Sequence, residues 1–226
     1  MTTHSITHPQ LVTALVKPPV DIIATLTPFG VDLWHGATGV AGEAGELLEA
    51  ILFPPQTGID RVNLREEMGD LYFYIEQITQ RTGIVIAWDA AQEFADAADM
   101  RAKLALTYAS QIAVHGSQVL DTVKKQAIYN KDLDSELLGN QLSALVMAMM
   151  SLGRMFQLTR EECLNANIHK LSKRYQSLNY SDAAAQARAD KQTGTDEVIP
   201  ARKFFKGDAE PRTSDMADVV DAEKKS

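Results

Sequence analysis

The sequence predicts an all-α protein, a helical bundle built from two similar halves. Three observations carry this. Apolar residues recur at three- and four-residue spacing almost throughout. The breakers (Pro18, Pro19, Pro54, Pro55, Gly58, Gly83) fall between those stretches. Strand-like alternation of apolar and polar residues is nearly absent.

The elements follow in order. A short opening helix ends before Pro18 and Pro19. A long helix is expected over about 31–53, stopped by Pro54 and Pro55. After a loop through Gly58 and Asp60, a second long helix should start at Asn63. Glu66 lies three residues on, as in a capping box, and Gly83 stops the helix just past Arg81. Trp88 and Asp89 open a third helix, to about Ala105, and another covers about 111–129. Beyond the polar loop NKDLD a helix spans about 135–156. Thr159, with Glu162 three residues on, caps a last one to about Tyr175. From Gln176 onward the chain is polar, without apolar periodicity, and reads as an irregular arm.

An internal echo suggests duplication. His35 and Gly36 open a stretch resembling the one that starts at His115 and Gly116, and EEMGDL from Glu66 resembles ELLGNQ from Glu136. The expected organisation is therefore a first half over 1–107, a second over 108–178, and an irregular polar arm over 179–226.

With 226 residues, 45% of them hydrophobic, a core needs no metal or disulfide to hold it. One cysteine, Cys163, allows no intramolecular disulfide and fits a reducing compartment. The first ten residues lack the pattern of a secretory signal, and the longest apolar stretch, 142–152, is too short to span a bilayer. A cytoplasmic protein without a membrane partner is expected. The formal charge of −8 argues against nucleic-acid binding, which needs basic surface to displace counterions. It does not argue against a phosphate ligand, because clustered carboxylates recruit divalent cations that in turn bind phosphates.

The chemistry-bearing residues are acids. Glu43 and Glu46 are three apart on the first long helix, and Glu67 and Asp70 three apart on the second. Such pairs share a helix face, and a short loop makes the two helices antiparallel neighbours. Four carboxylates then face one another, a crowd that needs cations to be stable. An all-oxygen set suits Mg²⁺, with Mn²⁺ as a substitute. Gly42, Gly45 and Gly69 lie beside the acids although each costs a helix about 1 kcal/mol relative to Ala. Close backbone approach or room for a ligand explains that. Glu49 and Glu66 read as solvated acids that could join the shell.

GEAGELLEAI followed by NLREEMGDLYFYI resembles the signature of the MazG-like, all-α nucleoside triphosphate pyrophosphohydrolases, a superfamily that includes dimeric dUTPases and phosphoribosyl-ATP pyrophosphohydrolases. Its pattern, E-x-x-E, a spacer and E-x-x-D, falls on Glu43, Glu46, Glu67 and Asp70, with twenty residues between Glu46 and Glu67. The resemblance implies a helical bundle, Mg²⁺ held by the four acids, and hydrolysis of a nucleoside triphosphate to monophosphate and pyrophosphate. Glu46 and Glu67 are the candidate catalytic acids.

In the second half the acids are replaced by Val123, Gln126, Leu137 and Asn140. That half instead carries Lys124, Lys125 and Tyr129, which match a KK-x-x-x-Y pattern of similar proteins. Asn167, Lys170 and Arg174, with Leu171 and Tyr175, match N-x-x-K-L-x-x-R-Y. The resemblance thus implies a covalent pseudo-dimer. The first half supplies metal ligands, and Lys124, Lys125, Asn167, Lys170 and Arg174 bind the substrate. A homodimer of such pseudo-dimers is one assembly open to it. Trp34 reads first as core and is the best aromatic candidate for base contact. His35, His115, Trp88, Phe73 and the methionines 147, 149, 150 and 155 read as structural or core residues. A purine such as dGTP or GTP is the substrate suggested by related enzymes. The alternatives are a non-catalytic cation- or nucleotide-binding regulator, or the same fold acting on dUTP or phosphoribosyl-ATP.

Overall fold

A computed structural model describes residues 6–97, 105–187 and 198–199. They are almost entirely helical. The helices are α1 (His8–Leu15), α2 (Pro19–Thr25), α3 (Pro28–Leu52), α4 (Arg61–Thr82), α5 (Trp88–Ala97), α6 (Ala105–Tyr129), α7 (Ser135–Met155), α8 (Arg160–Arg174) and α9 (Asp182–Ala187). Two two-residue strands, β1 (Ile59–Asp60) and β2 (Val198–Ile199), pair antiparallel.

The centre is α3. It packs against α4 on one side and α6 on the other, and α7 lies against α6. Its buried residues, Leu33, Ala37, Val40, Ala44, Leu47 and Ile51, recur at three and four and form the stripe that both neighbours cover. α3 and α6 approach closely because Gly116 has no side chain. A Cβ there would lie 3.1 Å from the Ala44 Cβ and 3.3 Å from the Val40 carbonyl oxygen. α5 covers α7, where the Arg154 guanidinium donates to the Ala95 carbonyl at 2.6 Å. The methionines at 149 and 150 are buried and those at 147 and 155 pack against the same core, as expected.

Several boundaries differ from expectation, for physical reasons. α4 starts at Arg61, not Asn63, because the Asp60 carboxylate accepts from the amides of Val62 and Asn63. Gly83, at φ 72°, ends it in the left-handed region. α6 begins at least six residues early, since Ala105, Tyr108, Ala109 and Ile112 extend the buried stripe. The third helix is described only to Ala97, and its expected end lies outside the described residues. α2 is a helix with no buried residue.

The arm over 179–226 is not wholly irregular. It contributes α9, and β2 returns to pair Ile199 with Ile59 and Val198 with Asp60. The rest of that arm lies outside the described residues.

The element that matters most for the site is α8. The Thr159 and Glu162 capping box starts it as expected. Its axis turns 96° from that of α7 and lays it across α4. Arg61 fixes this corner from α4. Its guanidinium donates to the carbonyls of Phe156 at 3.0 Å and Gln157 at 2.6 Å, which satisfies acceptors left open where α7 ends. Gly69 sets the approach, because a Cβ there would stand 2.8 Å from the Cys163 carbonyl oxygen and 3.0 Å from the Asn167 Cβ. Among the described residues, no single helix is long and apolar enough to cross a membrane.

Candidate functional site

The register of the α3–α4 pair places the acids level with one another. At one end, the Asp32 carboxylate of α3 accepts from Gln77 at 2.8 Å and pairs with Arg81 of α4. Three turns further along α3, Glu43 and Glu46 meet Glu67. Each of these three has a carboxylate oxygen within 4.8 Å of the others.

Asp70 is the exception to the expected cluster of four. α8 occupies its carboxylate. The Asn167 amide donates to Oδ1 at 2.5 Å, and the Lys170 ammonium pairs with Oδ2. Asn167 is only 6% exposed, so its amide is committed to that bond. The acids therefore divide into three clustered glutamates and one aspartate that anchors α8.

Crowding shows in the acid strengths. Glu67 is pushed from the ordinary 4.5 up to about 8, first by burial, then by its hydrogen bond to Glu43 and by the charges of Glu43, Glu46 and Asp70. Glu43 is also raised, by burial and then by the charge of Asp70, while its bond with Glu67 and the charge of Lys170 pull the other way. At neutral pH, without a cation, Glu67 thus keeps a proton shared with Glu43. A divalent cation relieves this crowding best, and three carboxylates offer it oxygen donors only. The residues fit Mg²⁺ or Mn²⁺.

Above the acids opens a cavity of about 1130 Å³, at the upper end of small-molecule sites. Its walls bring together Glu43, Glu46, Glu67 and Asp70 with Asn167, Lys170 and Arg174. Glu66 also lines it and is half-buried, whereas Glu49 is exposed. Gly42 and Gly45 sit beside the acids with nothing within 4 Å of where a Cβ would be, so they leave space rather than permit contact.

Three expected substrate-binding residues lie elsewhere. Lys124 and Lys125 pair with Asp121 of their own helix at 3.6 and 2.7 Å, and Lys125 lines a separate groove of about 550 Å³. The cause is the packing order, because α6 covers the side of α3 away from the acids. Trp34 is half-buried against the core. It stands nine residues before Glu43, and nine steps of 100° bring it to the opposite face of α3.

Other residues were missed. Phe73 was read as core but is 46% exposed and lines the cavity. Phe73 and Tyr74 follow Asp70 by three and four residues, so helical spacing alone puts them on the acid face. The Tyr74 phenol is raised above its ordinary value by burial, then by the charges of Glu43 and Asp70. His35, read as structural, lies on the rim, edge-on to Tyr74 with ring centroids 5.9 Å apart. His115 instead lies 3.0 Å from Gln118 on its own helix. Tyr175, Leu178 and Tyr180, at the end of α8 and in the turn after it, also line the cavity. No periodicity marks that turn in the sequence. Trp88 is structural as expected, with Arg160 stacked 4.0 Å over its ring.

Comparison with known protein families, characterised proteins and solved structures finds no match to this chain.

Proposed function

We propose that this chain is a divalent-cation-dependent nucleoside triphosphate pyrophosphohydrolase of the MazG-like kind. The observation that carries this reading is the convergence of three glutamate carboxylates within 4.8 Å, in a cavity that also presents Lys170 and Arg174. Carboxylates alone suit a cation. Carboxylates that share a cavity with a lysine and an arginine suit a polyphosphate carried with its cation.

Glu43, Glu46 and Glu67 would hold the metal, and Asp70 joins them if Lys170 turns to the substrate. Bound there, Mg²⁺ supplies charge neutralisation at the phosphates and acidifies water. The chain's own groups do the rest. Glu46, the most exposed of the three, accepts the proton of the attacking water, and Glu67 holds Glu43 and Glu46 in register. Water oxygen bonds to the α-phosphorus, the bond from that phosphorus to the bridging oxygen breaks, and pyrophosphate leaves with its charge held by Lys170 and Arg174. Lys124, Lys125 and Trp34 take no part.

Element lengths support the duplication. α3 and α4 have 25 and 22 residues, and α6 and α7 have 25 and 21. The echo is imperfect in packing, since a Cβ on Gly36 would meet Ile78 of α4, while one on Gly116 would meet α3. In this reading the second half lost its acids and kept Asn167, Lys170 and Arg174, which α8 delivers to the acids of the first.

One observation favours the non-catalytic alternative: Asp70 is already neutralised from within by Lys170 and Asn167. Incubation with each NTP and dNTP plus Mg²⁺, followed by chromatography, separates the two readings. Monophosphate with pyrophosphate supports the hydrolase. Diphosphate with phosphate, or no turnover of any nucleotide, refutes it.

A further inference from the structure

The geometry points to a nucleobase-stacking platform made by Tyr175 and Tyr180, so that the site takes a base-bearing triphosphate rather than any polyphosphate. This rests on the pyrophosphohydrolase reading for the position of the phosphates. It goes beyond that reading by saying what holds the other end of the substrate.

The two rings lie 5.8 Å apart between centroids, inclined at 36°. Both line the cavity that holds the acids. The turn that carries them is built rather than loose. The Leu178 amide donates to the Tyr175 carbonyl at 2.8 Å, and Leu178 takes φ 53°, a left-handed conformation uncommon for leucine. The Tyr175 amide is tied back to Leu171 of α8 at 2.8 Å. The Tyr180 hydroxyl donates to the Asp182 carboxylate at 2.9 Å, in the first turn of α9. That bond holds the ring by its edge. Tyr180 is 74% exposed and Leu178 79%, so the turn displays apolar surface to water at the cavity mouth.

A purine or pyrimidine is flat, polarisable and about as wide as these rings. Aromatic side chains bind such faces without regard to base identity, and a base can overlap the outer side of such a pair. Phe73 and Tyr74 of α4 line the same cavity, themselves in edge contact at 5.3 Å. A base held in this cavity meets aromatic side chains from α4 and from the α8–α9 turn, while the phosphates reach Lys170 and the glutamates. The acids lie on α3 and α4 and the platform on the α8–α9 turn, so phosphate and base are read by different elements.

The test separates base from phosphate. Binding is measured calorimetrically with Mg²⁺ for two probes: a purine nucleoside triphosphate with a methylene group between the α and β phosphorus, and inorganic tripolyphosphate. Wild-type protein is expected to bind the nucleotide analogue at least tenfold more tightly. Tyr180→Ala is expected to weaken the analogue about tenfold and leave tripolyphosphate unchanged, while Tyr180→Phe, which keeps the ring and loses only the bond to Asp182, weakens the analogue less than Tyr180→Ala does. If the enzyme turns over, KM for the nucleotide rises in Tyr180→Ala with kcat nearly constant. Equal binding of both probes by wild type, or an equal loss of both in Tyr180→Ala, overturns the platform. Selective analogue binding with no hydrolysis of any NTP keeps the platform and removes the hydrolase.

Discussion

Replacing Glu67 by Gln should make the cation-free protein more stable while removing its response to magnesium. Folding raises Glu67 from 4.5 to about 8, so the folded chain binds this proton more tightly than the unfolded chain does. The sign follows. This contribution to stability is fully present below pH 4.5 and is lost as pH rises through about 8. The full interval corresponds to ~5 kcal/mol, and the water reaching a half-buried carboxylate screens this to roughly 2–3 kcal/mol. A glutamine is neutral, keeps the shape, and donates to Glu43 as the protonated glutamate does. At pH 9, without divalent cations, Glu67→Gln is therefore expected to melt roughly 4–12 °C above wild type for a chain of this length. At pH 4.5 the two should melt within about 2 °C of each other. Saturating Mg²⁺ at pH 9 should close this gap. A ligand at one hundred times its dissociation constant adds about 2.7 kcal/mol to the wild type, whereas the variant has lost a ligand and gains little. Differential scanning calorimetry at two pH values, with EDTA or Mg²⁺, reads all four cases. A variant that melts lower than wild type at pH 9 in EDTA, or gains as much from Mg²⁺, would show that the three glutamates do not crowd around a cation site.

Four further outcomes follow from the same geometry. Mg²⁺ binding should release close to one proton at pH 6.5 and almost none above pH 9, because Glu67 gives up the proton it holds below about 8; calorimetry in buffers of different ionisation enthalpy measures this. Gly69→Ala should cost about 1–3 kcal/mol and lower turnover, since its Cβ would stand 2.8 Å from the Cys163 carbonyl oxygen and push α8 off Asp70; urea denaturation with an activity assay checks both. Gly45→Ala should instead gain up to about 1 kcal/mol, because its Cβ meets nothing, and a loss of nucleotide binding alongside the gain would show that substrate uses the space. Lys170→Met should lower kcat/KM about a hundredfold, while Lys124→Ala with Lys125→Ala should change it less than twofold, since those two lysines pair with Asp121 away from the cavity.

Helix identity was legible because the buried stripes are long. Leu33 to Ile51 on α3 and Leu64 to Ile78 on α4 repeat at three and four for several turns, and each helix is bounded by a proline, a cap or Gly83. What the sequence hid was set by tertiary contacts. Asp60 displaced Asn63 as the N-cap because its oxygen reaches two amides at once. β1 and β2 are two residues each and leave no periodic trace, and a pairing between positions 59 and 199 cannot be read from either neighbourhood alone. The path of α8 depends on Arg61 reaching carbonyls almost a hundred residues away.

The site divides along the same line. Glu43, Glu46 and Glu67 were found by local spacing, because a three-residue step on each of two adjacent helices suffices to place them. Lys124 and Lys125 came instead from the KK-x-x-x-Y pattern, and they pair with Asp121 away from the acids. Spacing says which residues share a face of α6, but not that α6 covers the far side of α3. Asn167 and Lys170 were found by a pattern match, and only the fold explains why they reach the acids: Gly69 lets α8 close on α4. That contact makes Asp70 a joint between α4 and α8 as much as a member of the acid motif. Its carboxylate is shared between a buried amide and an ammonium. Under the proposed hydrolase reading, a cation that recruited Asp70 would release Lys170 toward the phosphates in the same event. This predicts that Asp70→Asn, which keeps the bond with Asn167 but frees Lys170, weakens Mg²⁺ binding yet preserves or tightens tripolyphosphate binding in the absence of metal. Equal weakening of both, measured by calorimetry, would show that Asp70 and Lys170 are coupled only structurally.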